Sequence, residues 1–440
     1  MRTPFAAAIG TKNMDQKLGD NDPEEEWSSR GRGRRKVIVV GGSIAGLSCA
    51  KALVQPQCQC DVLVLERASS LTAAGAGLGL DIQACRVLQE WGLTSALASI
   101  SMPLTVEEIR AIDPQSKSAR VLARDEELNH RSAHWSDVHR ILFEALPQGI
   151  VEFGQEVVGF EEIDEGRRIR AKVKPSSGDG NEIKDVVGDL FIAADGINSS
   201  TRQRLVSSDK RQYCGYCAWR GVFDYSEQAA EEIAAAVRKA YVDLGKCLYF
   251  DLAPGSHAVL YELAGKRLNW LWYVCQEEPN LKGISVTIKA DESMVKKMHE
   301  EASRTFMPEL ALLMQSTKFP FVNAIFDRDP LKQIVWGHVV LVGEAAHPTS
   351  PHGIRSTNMS IMDAAVLGSC IAECKNLDAA LCSYQNSRLP VTTQQVLFSR
   401  HLGKLKQGLL SVTSSTVPWM QADKGTCLTL LQRNVHLFQF

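Results

Sequence analysis

Four stretches of the chain are almost continuously apolar, and a small or acidic residue closes each of them. They are Val37–Val40 before Gly41 and Gly42, Asp61–Leu65 before Glu66, Asp189–Ala194 before Asp195 and Gly196, and Val339–Val342 before Gly343 and Glu344. A strand covered on both faces loses the in-out alternation of a half-exposed one, so these runs predict buried parallel strands. After the first run, Ile44, Leu47, Ala50 and Val54 recur at helical spacing, and Gln55 with Pro56 stops that helix. Strand, helix and second strand fit in the segment Lys36–Glu66, about 31 residues, the length of one βαβ crossover. A different texture separates the outer runs. Leu248–Leu252, His257–Leu263 and Arg267–Val274 are short, rich in Tyr, Trp and Val, and joined at Pro254-Gly255-Ser256 and Ala264-Gly265-Lys266. They predict an antiparallel meander in a second domain inserted into the first. From Ala364 onward the pattern is helical, and no repeat runs through the chain.

Composition narrows the class. The 440 residues are 45% apolar and 23% charged, with 49 Lys and Arg against 51 Asp and Glu, a formal net charge of -2. Neither a disordered chain nor a nucleic-acid binder with a basic footprint fits that balance. No stretch reaches the roughly 18 uninterrupted apolar residues of a spanning helix, Ala364–Ala372 coming nearest, so no integral membrane segment is expected. The 12 cysteines are scattered without a secretory h-region, which points to free thiols in a reducing, cytoplasmic setting. Cys214 and Cys217 have CxxC spacing, but no second pair or histidines complete a metal site, and no metal is expected. Residues 1–35 mix Gly, Ser and charge, from Glu24-Glu25-Glu26 to Arg34, Arg35 and Lys36, and read as a solvated tail; their acidic residues argue against a transit peptide.

Gly41, Gly42, Ser43, Ile44, Ala45 and Gly46 lie between strand and helix and fit the dinucleotide fingerprint, with Ser43 in place of the middle glycine. Gly41 permits the tight turn and Gly46 a close helix–strand approach. The backbone N–H groups at the helix start suit a diphosphate, and Glu66, about 20 residues past Gly46, suits the hydroxyls of a ribose. Downstream, Gly343-Glu344 is followed by His347, Pro348, Thr349, Ser350, Pro351, His352, Gly353, Ile354, Arg355, Ser356, Thr357 and Asn358 and then an apolar helix. Thr357 or Asn358 is expected to cap that helix, whose N-terminus would face a group gaining negative charge in reaction.

This ordered set resembles the group A flavoprotein monooxygenases, the single-component aromatic hydroxylases that use FAD and NAD(P)H. Three motifs carry the resemblance across roughly residues 36–400: the glycine fingerprint, Ala194-Asp195-Gly196, and Gly343-Glu344 followed by His347-Pro348. The wording of Gly41–Leu47, Tyr216–Gly221 and Pro351–Asn358 is closest to the dihydroxypyridine hydroxylase and urate hydroxylase-like branch. The resemblance implies an α/β fold, a Rossmann-like FAD-binding domain with a discontinuous chain and an inserted antiparallel-sheet substrate domain. On that reading the FAD-binding parts are residues 36–115, 116–205 and 335–400, the substrate domain is 206–334, and 401–440 is a C-terminal helical segment.

Carried over, the resemblance places Gly41, Ser43, Ile44, Ala45 and Gly46 along the FAD diphosphate, Glu66 and Arg67 at the adenosine ribose, and Asp195 and Gly196 in a motif serving both cofactors. Gly343 and Glu344 would hold the flavin-side hydroxyls, and Gly353, Thr357 and Asn358 would run under the flavin pyrimidine. Three departures stand out: Glu344 replaces an Asp, Ile354 and Ser356 replace glycines, and Trp135 replaces an arginine. The implied chemistry is transfer of an OH from a flavin C4a-hydroperoxide, formed with O2, to a small aromatic or N-heteroaromatic ring. The catalytic candidates are Arg220, to stabilise a phenolate or lactam anion; His347 or His352, to shuttle a proton near neutral pH; and Pro348, through its carbonyl. Blander roles compete: Arg220 as a surface ion pair, and Trp270, Trp272 and Tyr273 as core. Epoxidation, H2O2 release and a regulatory flavin-binding role stay open, as does the oligomeric state.

Overall fold

The computed structural model describes residues 33–71, 75–176, 183–281, 285–410 and 427–432. The expected tail, residues 1–35, falls almost wholly outside them. All four apolar runs form strands of one six-stranded sheet, ordered Val335–Trp336, Val339–Leu341, Leu190–Ala193, Arg35–Val40, Cys60–Glu66 and Val151–Phe153. The four central strands are parallel, with Val37 opposite Leu190 on one side and Val62 on the other. Their continuous apolar character follows from burial on both faces. One face carries the helices Ile44–Leu53 and Ser356–Glu373, which approach so closely that a Cβ on Gly368 would lie 3.0 Å from the Ala52 Cβ. The other face is covered by a three-stranded antiparallel sheet, Gln155–Ile163, Arg168–Pro175 and Lys184–Gly188, whose Phe160 packs on Phe191 at 5.0 Å between ring centroids. All 12 cysteines are free, Cys214 and Cys217 included. Among the described residues no helix is long and apolar enough to cross a membrane.

The meander is the centre of an eight-stranded sheet. Its order is Thr287–Ile288, Phe321–Asp327, Gln212–Asp224, Arg267–Cys275, Ser256–Leu263, Cys247–Ala253, Val106–Ile112 and Ala119–Asp125. The last two strands come from the segment assigned by sequence to the cofactor domain. Val106–Ile112 pairs in parallel with Cys247–Ala253, so the second sheet draws on chain that precedes the insertion. Side chains along Arg267–Cys275 alternate between two cores. Trp270 and Trp272 pack toward the helices Gln228–Ala240, Glu292–Thr305 and Pro308–Gln315, with the Trp270 indole donating to Thr317 Oγ1 at 2.8 Å. Leu271 and Tyr273 point the other way. A Cβ on Gly221 would come within 2.5 Å of the Trp270 ring, so only glycine fits beneath that indole.

Candidate active site

The first turn has the geometry its glycines suggest. Gly41 sits at φ +100°, where a Cβ would meet the Ala194 carbonyl oxygen at 2.5 Å, and a Cβ on Gly46 would lie 1.8 Å from the Gly41 oxygen. Glu66 is drawn into the same turn: Oε2 accepts from the Gly42 N–H at 2.6 Å and Oε1 from the Ala68 N–H at 2.7 Å. Arg67 is exposed one residue further on. Sequence reasoning passed over His139, whose Nε2 donates to the Gly42 carbonyl at 2.6 Å while its ring stacks on Trp135, centroids 4.7 Å apart. At the end of the neighbouring strand, Asp195 is half-buried. Its Oδ2 accepts from the Thr201 N–H at 3.3 Å, its Oδ1 has no partner among the described residues, and burial raises its carboxyl above the usual range.

The loop from Gly343 to Asn358 is fixed from within. Asp363 Oδ2 accepts from the Gly343 N–H at 2.9 Å and from His347 Nε2, and Oδ1 accepts from Arg388 Nε at 2.8 Å. Burial alone would raise the Asp363 carboxyl; the charges of His347 and Arg388 and these hydrogen bonds outweigh it and hold it at about 2. His347 is therefore a positioning group locked to Asp363, and neither it nor Pro348 lines the cavity described below. Asn358 also faces inward. Its Nδ2 donates to Ile354 O at 2.6 Å and Gly79 O at 3.0 Å, and its Oδ1 accepts from the Asp81 N–H at 3.0 Å. These contacts take up its side chain, and the helix starts two residues earlier, so Asn358 does not cap it. The helix starts at Ser356, after Arg355, with no side-chain cap on its first turn, so Ser356 and Thr357 present backbone N–H groups to the cavity.

Two departures from the family pattern prove to be one feature, since Glu344 Oε1 accepts from the Ser356 hydroxyl at 2.8 Å. The longer acid reaches across the loop to a side chain that glycine would not offer. Ile354 takes the left-handed conformation, φ +55°, that glycine would favour, and its Cγ2 fills the space 2.7 Å from where a Gly79 Cβ would stand.

Turn and loop meet in one cavity of about 890 Å³. Ser43, Ile44, Ala45, Gly196, Glu344, Gly353 and Thr357 line it on the first-sheet side, Asp195 and Gly343 adjoin lining residues, and Gly41, Gly46, Glu66 and Arg67 lie outside its lining, Glu66 held to Gly42 beside Ser43. The cradle of small residues, the unpartnered Asp195 oxygen and the uncapped helix start fit an FAD. The opposite wall is the second sheet, with Arg220, Phe250, His257, Tyr261 and Tyr273. Arg220 makes no ion pair among the described residues, and its Nε is buried without a partner. Tyr261 and Tyr273 beside it are raised by burial, an effect the Arg220 charge opposes.

His352 faces this wall but is not a neutral-pH titrator. Burial first, then His257 and the Lys406 charge, drive it well below the usual histidine value, and His257 is pushed down to about 3. Both rings are thus neutral and form a directed chain. Gln407 Oε1 accepts from His257 Nδ1 at 2.9 Å, so His257 Nε2 accepts from His352 Nε2 at 3.3 Å. His352 Nδ1 then accepts from the Tyr216 hydroxyl at 3.2 Å. His257, Gln407 and Lys406 escaped sequence reasoning because each is a lone polar residue in a segment read only as strand or helix.

Comparison with known proteins gives the class. The family model described as FAD binding domain matches residues 34–219 and 323–399, and a second, FAD binding domain-like, matches 213–327. The chain belongs to the FAD binding domain family, as a group A FAD-dependent monooxygenase. Among its relatives, 3-amino-4-hydroxybenzoate 2-monooxygenase of Streptomyces cremeus is 29% identical over 376 residues, 84% of this chain and 87% of that protein. The 6-hydroxynicotinate 3-monooxygenase of Pseudomonas fluorescens is 26% identical over 367 residues, 80% and 87% of the two chains. The fold is shared with the Klebsiella pneumoniae HpxO complex with FAD and uric acid, at TM-score 0.70 and 21% identity, covering 85% of this chain and 89% of that one. It is shared equally with 2,6-dihydroxypyridine-3-hydroxylase from Arthrobacter nicotinovorans, at TM-score 0.71 and 21% identity over 85% and 93%.

Proposed function

We propose that this monooxygenase hydroxylates a small aromatic or N-heteroaromatic compound that is anionic or becomes so when bound, with NAD(P)H as reductant. The supporting observation is the single cavity that joins the FAD cradle to a mostly apolar wall containing the unpaired Arg220 guanidinium. Bound FAD would supply the redox chemistry, taking electrons from NAD(P)H and activating O2. Gly41, Ser43 and Gly46 would hold its diphosphate, Glu66 its adenosine ribose, Asp195 and Glu344 its polyol hydroxyls, and the N–H groups at Ser356 and Thr357 its pyrimidine edge.

The chain's own residues have three tasks. Arg220 orients a carboxylate, phenolate or lactam oxygen, a charge-assisted contact contributing about 1.5–3 kcal/mol. Phe250 and Tyr273 enclose the ring and keep water out. The directed chain Tyr216, His352, His257 stiffens that wall, since neutral imidazoles in this order spend their protons on the protein, His352 Nε2 on His257 and His257 Nδ1 on Gln407. The names of the relatives support an aromatic substrate.

The test is a panel of hydroxylated benzoates, phenols, pyridines and purines offered to the FAD-loaded protein. At least one ring should accelerate NAD(P)H oxidation and gain one oxygen by mass. A protein that binds FAD but responds to no ring, or returns all its reducing equivalents as H2O2 with every ring tried, would refute the proposal.

A further inference from the structure

The family match ends at residue 399, but the cavity continues beyond it. The segment Cys427–Gln432 returns to the second sheet, where Cys427, Leu430 and Leu431 are buried in the same apolar cluster as Leu248, Phe250 and Tyr273. The Gln432 N–H donates to Glu107 Oε2 at 2.7 Å, which ties the segment to the strand Val106–Ile112. The Gln432 side chain is 1% exposed and lines the cavity. Its amide stands beside Glu107, whose carboxyl is pushed up to about 7 by burial against the opposing Lys406 charge and the Gln432 hydrogen bonds, and both amide atoms, Oε1 and Nε2, are buried without a geometric hydrogen-bond partner among the described residues. A buried acceptor left unmet is costly, which is why such atoms in native proteins call for a partner.

No described group donates to it, and the neighbouring donors Lys406 Nζ and Gln407 Nε2 are likewise buried without partners. Lys406 lies over the Phe250 ring, 3.3 Å from its centroid, and with Glu107 and Gln407 stands behind the cavity wall. His257 lines the cavity, yet both its ring nitrogens are engaged by Gln407 and His352. Glu107 Oε1 is unmet as well but stands behind the wall, so Gln432 Oε1 is the unmet acceptor at a residue that lines the cavity on this side.

We propose that Gln432 is a specificity-determining residue whose Oε1 accepts a hydrogen bond from an amino, hydroxyl or ring N–H group of the aromatic substrate. This deepens the hydroxylase reading and rests on it. It also places part of the substrate choice on a C-terminal segment outside the family match. A site built to receive a donor discriminates against the analogue lacking it, because the buried acceptor is then left bare.

The experiment uses FAD-loaded full-length protein and two ligand pairs differing by one donor: 3-amino- against 3-methyl-4-hydroxybenzoate, and 2-pyridone against N-methyl-2-pyridone. Dissociation constants come from the change in the visible flavin spectrum on binding. Wild type should bind the donor-bearing member of at least one pair about tenfold tighter. Gln432→Met, apolar and of similar length, should erase that preference while the methylated member's constant stays within about twofold. Gln432→Asn, with an unchanged flavin spectrum, should keep part of the preference, which separates recognition from misfolding. Equal binding of both members by wild type, or a preference that survives in Gln432→Met, overturns the proposal. Absence of ring binding together with absence of ring-stimulated NAD(P)H oxidation overturns the hydroxylase reading, and this inference with it.

Discussion

On the first-sheet side of the cavity, Asn358, Asp363 and Glu344 bond the protein's own backbone and side chains, whereas on the second-sheet side Arg220 and Gln432 hold buried polar atoms with no partner. The contrast separates two ways of building a binding site. A cofactor common to a whole family can be held by backbone shape, which the side chains need only stiffen. A substrate is read by polar atoms left unmatched until it arrives, and those atoms are where relatives diverge. Asp195 Oδ1, Thr349 Oγ1 and Arg355 Nε, bare on the first-sheet side among the described residues, mark where a bound cofactor would complete the stiffened half.

The largest effect should come from breaking the stiffened half at its centre. Asp363→Ala would strand His347 and Arg388 without their carboxylate and release the Gly343 N–H. Removing one member of a buried ionic cluster costs about 3–5 kcal/mol, so urea unfolding should show a loss of that order and FAD retention should fall with it. A loss below about 1 kcal/mol with FAD retained would show that the loop keeps its shape without this cluster.

Next in size is a pH effect on the other half. His257 is held neutral with its value lowered from 6.5 to about 3, chiefly by burial. Below pH 6.5 the unfolded chain binds a proton that the folded chain refuses until about pH 3. Stability is therefore complete above pH 6.5 and declines as pH falls across that window. Unfolding free energies measured at stepped pH should show this decline, and His257→Phe should make it shallower, leaving the part that the similarly lowered His352 contributes. An equal slope in both proteins would mean that other groups carry the acid limb.

Legibility in the sequence follows the same divide. The strand runs, the Gly41–Gly46 turn and the Gly343–Asn358 loop were readable because each is a local pattern whose spacing carries its geometry. The start of the helix at Ser356 was not, since Asn358 is claimed by Gly79 and Asp81 from another part of the chain. Nor could spacing pair Glu344 with Ser356, or show that Tyr273 faces the cavity while Trp272 faces helices. Those outcomes depend on which face of the second sheet is covered by what. Arg220 is a candidate from its sequence segment, but its meeting with His257, Tyr273 and Gln432 follows only once the eight strands pair, and no local pattern announces that meeting.

Arg220→Met tests the substrate half through binding. Loss of a charge-assisted contact of about 1.5–3 kcal/mol should weaken anionic rings roughly 10- to 100-fold. Neutral rings of the same size should shift by no more than about threefold. Flavin-perturbation titrations with 4-hydroxybenzoate and phenol supply the comparison, and equal weakening of both would assign Arg220 a packing role.

The smallest effect concerns Ile354, where the two halves touch. Ile→Ala costs about 2–5 kcal/mol in a core, so cutting back this half-buried isoleucine should cost about half of that, about 1–2.5 kcal/mol. Here the residue holds φ +55°, a conformation that costs a β-branched side chain about 1–3 kcal/mol. Ile354→Gly removes that strain as it removes the side chain's contact with Gly79, and glycine adds back about 0.5–1 kcal/mol of chain entropy. The terms nearly cancel, so the net change in unfolding free energy should stay within about 1 kcal/mol. A loss above about 2 kcal/mol would show that packing against Gly79 outweighs the backbone strain, making Ile354 part of the stiffened wall rather than a strained substitute for glycine.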